Sequence, residues 1–349
     1  KITNIKSASI SITTSALTTT KTTSTNSNKA KNKNSKGMNF FNFFLNQDQE
    51  DIVNISIDII SKDGNITKYE LEKSTEGEEY EIETSATKIN KFEKNWNSTR
   101  NESLSSEFEF LIPEEKRVNK ILIYDKNNND YIEKHLKGIT NISIFSTSET
   151  YFVIATETSS IEIYNKKNIF SEAINTHKIF ESPILCCAIS ETFHTIVVGS
   201  EGCLIISSLE SGTSIISINI DNFIPNKILI TENFGFIVTQ ASKVEEGIIV
   251  NVLFLHNIEG KLINKKYINC EVLCLITWSD GEGLDFLSIS DQDGKIMSCE
   301  AYELKFSIVV KRCMSPVIKM EYCKYLKSLV AITSNGNIFI EPLIYNNIS

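Results

Sequence analysis

The amino-acid sequence predicts an all-β chain, a β-propeller of four-stranded antiparallel blades with WD-like repeats, on three observations. Short β-branched and aromatic runs recur along most of the chain, broken by turn residues. No window of 11 or more residues holds the i, i+3, i+4, i+7 apolar spacing of an amphipathic helix. A unit of strand, turn, strand and glycine turn repeats at a period of about 45 residues.

Taken in order, residues 1–12 read as one strand, from Ile2-Thr3-Asn4-Ile5 and Ser7 to Ile12, placed to complete the last blade and close the ring. Residues 13–38 are almost wholly Thr, Ser, Asn and Lys, a composition that buries too little apolar area to offset its ordering entropy. A low-complexity disordered insert is expected there. Residues 39–138 are expected to form one or two degenerate blades, with hairpin turns at Asp63-Gly64 and Lys126–Asn129. The polar, acidic stretch 72–107, which includes Trp96, reads as a long loop. Five recognisable blades fill 139–349, starting near 139, 183, 225, 270 and 316, all in one propeller domain.

Three segments carry the repeat. Ser182 to Ile189 is followed by Thr195-Ile196-Val197-Val198-Gly199-Ser200-Glu201-Gly202. Cys270 to Ile276 is followed by Phe286 to Asp291 and then Asp293-Gly294. Ser315 to Tyr322 is followed by Leu329 to Ser334 and then Asn335-Gly336. Each ends in a tight turn that needs a positive backbone φ, which glycine adopts without a Cβ clash. Gly202 and Gly294 stand 92 residues apart, two units of 46, and Gly336 follows after 42. Four strands in such a unit make one blade, and a blade hides its apolar faces only by stacking on its neighbours. Seven blades are expected, with six as the alternative.

Composition narrows the function. The net charge is −9, yet residues 1–38 carry seven lysines and no acid, so the rest stands at −16 (−9 less +7). An acidic body lacks the basic footprint that phosphate binding requires, which argues against nucleic acid as the ligand. The lysine tract itself is suited to touching anionic membrane, at roughly 1 kcal/mol per basic residue near the surface, so peripheral association with endomembranes is an expectation. The eight cysteines lie mostly in apolar runs such as Leu185-Cys186-Cys187-Ala188, which points to core thiols in a reducing, cytoplasmic setting.

No catalytic, cofactor-binding or metal set stands out. Cys270 and Cys274 share strand parity and so share one face, which fits a buried core better than a zinc site, with Cys299, Cys313 and Cys323 nearby. Histidines 135, 177, 194 and 256 fall in separate units, so no nucleophile–base–acid set converges on them. Asp280-Gly281-Glu282-Gly283 and Asp291-Gln292-Asp293-Gly294 read as hairpin turns, because the ligand spacing of a calcium loop is incomplete. Trp278 is expected in a blade core. No cofactor is expected, the partner-binding residues are unknown from sequence, and the chain is expected not to be an enzyme.

Two patches carry a family resemblance. Pro183 to Ile189 with Val198-Gly199-Ser200-Glu201-Gly202 looks like the "CC…VVSGS-DG" blade of the carboxy-terminal WD-repeat propeller in BEACH-domain proteins, the Beige, neurobeachin and LRBA-like family. Leu253 to Leu262 is similar to that family's "L-x-L-F-x-x-N-G-K-x-L" hairpin. The resemblance spans 139–345. It implies a non-catalytic protein–protein interaction scaffold, the propeller module of a larger protein in vesicle trafficking or membrane-protein sorting. BEACH and PH-like modules would lie upstream of Lys1, and other proteins would be the partners. The sequence departs from the WD pattern in lacking the Trp-Asp and Gly-His pairs, so a His–Ser–Asp–Trp relay is not expected. The alternatives are an unrelated WD-repeat adaptor or coat subunit and, further off, a propeller hydrolase or lectin.

Overall fold

The computed structural model describes residues 5–16, 51–61, 65–74, 81–88, 99–103, 108–113, 120–125, 130–135, 142–148, 150–156, 159–166, 173–178, 181–306, 308–324 and 326–343. Among them the strands form seven antiparallel sheets, six of four strands and one of three. Within each sheet the strands follow chain order from one edge to the other, which is the arrangement of successive hairpins.

The first sheet holds β1 (Ile5–Ala16), β2 (Asp51–Ser61), β3 (Asn65–Ser74) and β4 (Glu81–Lys88). The second holds β5 (Thr99–Ser103), β6 (Phe108–Pro113), β7 (Lys120–Asp125) and β8 (Asp130–His135). The third runs β9 (Ile142–Thr147), β10 (Tyr151–Thr156), β11 (Ser160–Asn165) and β12 (Asn175–Lys178). The fourth runs β13 (Cys186–Ser190), β14 (Thr195–Ser200), β15 (Cys203–Ser208) and β16 (Ser214–Asn219). The fifth has β17 (Ile224–Ile230), β18 (Ile237–Glu245), β19 (Ile248–His256) and β20 (Leu262–Ile268). The sixth has β21 (Val272–Ser279), β22 (Asp285–Asp291), β23 (Lys295–Glu300) and β24 (Ile308–Arg312). The last has β25 (Val317–Cys323), β26 (Ser328–Thr333) and β27 (Ile338–Pro342).

The first strands of successive sheets meet: β9 with β13, β13 with β17, β17 with β21 and β21 with β25. Strand β1 adjoins both β25 and β5. The first strands therefore lie innermost and the fourth strands outermost.

Burial follows this layout. The second strands β14, β22 and β26 are buried along their whole length. The outer strand β16 is mostly exposed, and β20 has no buried residue. Apolar clusters form between sheets rather than inside one. Cys186, Val197 and Leu204 of the fourth sheet pack with Ile228, Ile237 and Val252 of the fifth. Trp278, Phe286 and Ile296 of the sixth pack with Val317, Met320 and Leu329 of the last. Removing these faces from water at roughly 25 cal/mol per Å² is the main force stacking the sheets.

The turn glycines have the expected geometry and a second constraint. Gly202, Gly294 and Gly336 sit at φ +71°, +78° and +84°. A Cβ on Gly202 would fall 2.5 Å from the Asp221 carbonyl oxygen, and one on Gly294 would fall 2.6 Å from that of Ser315. Each turn thus presses on the backbone that leads into the next sheet.

Two expectations for the amino-terminal part need correction. Residues 5–16 do not add a fourth strand to the last sheet. They pair with β2 from Ile5 opposite Ser61 to Ala16 opposite Asp51, with one register shift between Ile5 and Ser7. That long ladder satisfies more backbone groups than the five-residue β27 offers. The stretch 72–107 is not one long loop, since it contains β4 and β5. Strand β4 closes its sheet at the edge, where one side needs no partner strand and polar composition is tolerated. The expected disordered insert beyond Ala16, the turns at Asp63-Gly64 and Lys126–Asn129, and Trp96 lie outside the described residues.

Candidate interaction surface

Antiparallel order gives every sheet two ends. Turns between first and second, and third and fourth, strands lie at one end. Turns between second and third strands lie at the other, together with the connections to the next sheet, and this glycine-turn end holds Gly202, Gly294 and Gly336. A single irregularity recurs there in the innermost strands. The register skips Lys6 in β1, Ser143 in β9, Asn226 in β17, Leu273 in β21 and Ile318 in β25. In the fourth sheet the Leu185 amide donates to the Gly199 carbonyl at 2.8 Å, while Gly199 also stands opposite Cys186. Leu185 is the extra residue there.

A β-bulge sets two residues against one and re-aims a side chain. Here it turns Leu185, Leu273 and Ile318 out of the inter-sheet core, leaving them 37%, 42% and 36% exposed. Cys186 and Cys274, the residues after Leu185 and Leu273, stay inside. Cys186 donates its thiol proton to the Pro225 carbonyl at 3.6 Å, and Cys274 to the Val317 carbonyl at 3.3 Å, each reaching the next sheet. Burial pushes both thiols up, away from the reactive thiolate.

The fifth sheet adds a wall at the same end. Strand β17 begins opposite Ser242 and β20 ends opposite Asn251. The β18–β19 ribbon continues past both through Lys243–Val250, Val244–Ile249 and Glu245–Ile248. Its turn, Glu246-Gly247, has φ +51° and +82°, the two positive values of a type I′ hairpin. Val244, Ile248 and Ile249 stand largely exposed on it. The ribbon is anchored at its base, where the Gln240 side chain donates to the Val272 carbonyl at 3.1 Å and that of Asn251 to Cys270 at 3.2 Å. These bonds tie it to the segment that carries Leu273.

The residues weighed for chemistry are not brought together. His135 belongs to β8, His177 to β12, His194 to the turn after β13, and His256 to the end of β19. His256 is buried, and desolvation pulls its pKa down to about 4, so it is neutral. Asp280 spends its carboxylate on the amides of Glu282 and Leu284, and Asp291 on those of Asp293 and Lys295. Both are Asx turns that shape hairpins. The eight cysteines are free thiols, and Cys274 and Cys299 belong to different core clusters. Among the described residues no group of three or more His, Cys, Asp or Glu is arranged to hold a metal ion.

Trp278 lies in the sixth sheet's core, stacked on Phe286 at 4.3 Å. Its indole N–H donates to Ser288 Oγ at 2.9 Å, and Ser288 shares a 2.6 Å hydrogen bond with Ser298. This three-strand polar chain was not legible in sequence, because no dipeptide marks it. The bulges were equally hidden, since a bulge demands no particular residue type.

No family model matches the chain, and no curated protein matches it. Solved structures do. A chain in "Crystal Structure of Mitotic Checkpoint Complex" matches with a TM-score of 0.57 at 11% identity, covering 81% of this chain and 85% of that one. "Crystal structure of BBS1N in complex with ARL6DN, soaked with lead" gives 0.58 at 16%, covering 85% and 88%. The computationally designed Ika8 protein gives 0.55 at 9%, covering 82% and 93%. At such identities the likeness speaks for architecture only, and with the sheets described above it establishes that this chain has the β-propeller fold.

Proposed function

We propose that this chain is a non-catalytic protein–protein interaction scaffold, a seven-bladed propeller that engages its partners at the glycine-turn end. The observation that carries the reading is the repeated bulge. The same irregularity recurs in the innermost strands and exposes Leu185, Leu273 and Ile318 on the fourth, sixth and last sheets, with the polar Asn226 at the corresponding place in the fifth. Apolar side chains turned outward within a polar setting favour burial against another protein. The exposed Val244, Ile248 and Ile249 of the adjoining ribbon extend that surface.

The propellers of the mitotic checkpoint complex and of BBS1 with ARL6 come from protein complexes, which supports protein partners in general. The finer reading rests on the two sequence patches at 183–202 and 253–262. It makes this the propeller module of a larger BEACH-type protein in vesicle trafficking or membrane-protein sorting, cytoplasmic and peripheral on endomembranes. The coding sequence upstream of Lys1 tests that part, and a full-length protein without a BEACH module sinks it.

The scaffold reading is tested by affinity capture with the wild-type chain and with the triple variant Leu185→Ser, Leu273→Ser, Ile318→Ser. A folded variant is expected to lose at least about 90% of the protein captured by the wild type, the tenfold that about 1.4 kcal/mol represents. Equal capture of the same proteins by both would contradict the assignment of this surface.

A further inference from the structure

We propose that a row of aromatic rings at the opposite end of the sheets, Phe234, Phe236 and Tyr302, is a docking site for an extended peptide bearing arginine or lysine side chains. This goes beyond the scaffold reading and concerns a different surface. Phe234 and Phe236 lie in and beside the first turn of the fifth sheet, and Tyr302 lies in the turn after β23. The ring centroids of Phe234 and Phe236 are 5.4 Å apart with planes 21° from parallel, and Phe236 and Tyr302 are 6.2 Å apart. Phe234 and Tyr302 nevertheless remain 52% and 58% exposed. The two outer rings stay open to solvent, while Phe236 between them packs partly on the core.

The backbone beneath them is fixed by a set of specific bonds. The buried carboxylate of Asp285 accepts the amides of Asn233 at 3.0 Å and Phe234 at 2.9 Å across the sheet boundary. Thr231 Oγ1 accepts the Phe236 amide at 3.0 Å. The Asn264 side chain donates to the Tyr302 and Glu303 carbonyls, both at 3.0 Å. Gly235 lies so close to Phe193 of the fourth sheet that a Cβ there would fall 2.9 Å from its ring. Exposed aromatic side chains on a backbone this constrained are preorganised, which lowers the ordering cost of binding.

Charge selects the occupant. Exposed Glu232 and Glu303 stand in these turns and Glu282, with Asp280, in the first turn of the sixth sheet; these four carboxylates outnumber the two lysines Lys305, beside Glu303, and Lys324, which pairs with Glu232 at 3.4 Å. Aromatic faces attract cations, Arg above all, and the carboxylates add to that attraction. They repel phosphate, so a nucleic acid, whose bases would also stack on such rings, is disfavoured. The two ring spacings span at most about 12 Å, matching four residues of polyproline-type chain at about 3.1 Å each. Exposed Leu284 offers an apolar contact beside the row.

The test titrates acetyl-Pro-Arg-Pro-Leu-Pro-Arg-Pro-amide into the chain, followed by NMR shifts of the backbone amides. Saturable shifts at 231–236 and 301–304 are expected. Replacing both arginines with citrulline should weaken binding at least about fivefold, within the range of a lost cation–π contact. Phe234→Ala and Tyr302→Ala should each weaken it by about three- to thirtyfold, whereas Tyr302→Phe should stay within about twofold. If an alanine variant melts early, Phe234→Leu and Tyr302→Leu keep apolar volume, lack the ring face and should show the same loss. No saturable shift, equal affinity for the citrulline peptide, unchanged affinity in the ring variants, or tighter binding of a single-stranded oligothymidylate would each overturn the proposal.

Discussion

Replacing Asp285 with alanine tests how the sheets are strapped together. Asp285 is buried at the start of β22 and belongs to the sixth sheet, while both amides that it accepts, those of Asn233 and Phe234, belong to the turn of the fifth. A hydrogen bond to a charged group contributes roughly 1.5–3 kcal/mol, and an orphaned buried donor costs its desolvation. Asp285→Ala removes two such bonds at once, so a loss of about 3–5 kcal/mol is expected. Asp285→Asn keeps one acceptor oxygen and turns an amide NH2 toward the other donor, so about 2 kcal/mol is expected. Urea or guanidinium unfolding of the three proteins measures the differences directly, provided the slopes agree. An alanine variant within about 0.5 kcal/mol of wild type, the scatter of ordinary surface substitutions, would refute the strap.

Other consequences follow from single side chains. Gly294→Ala should cost at least about 1 kcal/mol more than Gly247→Ala. Both residues have positive φ, but the Cβ at 294 would lie 2.6 Å from the Ser315 oxygen while that at 247 meets open space. Chemical denaturation ranks the two, and equal losses would mean that backbone strain alone decides. Burial holds the folded-state pKa of His256 at about 4, below the unfolded value near 6.5. The unfolded chain therefore takes up the proton first, and stability present above pH 6.5 is lost as pH falls toward 4. The difference amounts to about 3 kcal/mol on the order-of-magnitude scale of 1.36 kcal/mol per pKa unit. Because carboxylates titrate in the same window, His256→Phe is the comparison, and its stability should fall less over that range. Ser288→Ala should cost about 1 kcal/mol by removing the Ser288 acceptor of the Trp278 indole N–H, and Trp278→Phe on top of it should add less than it does alone.

The later part of the chain was far more legible in sequence than the earlier part. Blade starts read near 139, 183, 225, 270 and 316 compare with strands beginning at Ile142, Cys186, Ile224, Val272 and Val317. Turn glycines made this visible, because a positive φ is a demand on residue type. The stretch 72–107 holds a single glycine, Gly77, set among glutamates and outside any repeat of the strand–turn–glycine unit. Its β4 sets Glu81, Glu83, Ser85 and Thr87 between Ile82, Thr84 and Ala86, and an edge strand tolerates that composition.

The candidate surface was hidden for a different reason. Leu185, Leu273 and Ile318 lie in apolar runs that read as strand interior, and the inserted residue that turns each outward leaves no mark in the sequence. Phe234 and Tyr302 are 68 positions apart and meet only through the stacking of two sheets. Nothing in the sequence marks Asp285 as a strap, because both of its donors come from the neighbouring sheet.

The most direct measurement is hydrogen exchange of the backbone amides in this chain, free and with a captured partner bound. The account predicts slowed exchange at 184–187, 272–275 and 317–320, with the ribbon 243–250. Protection confined to the outer strands β16 and β20, with these segments unchanged, would contradict it.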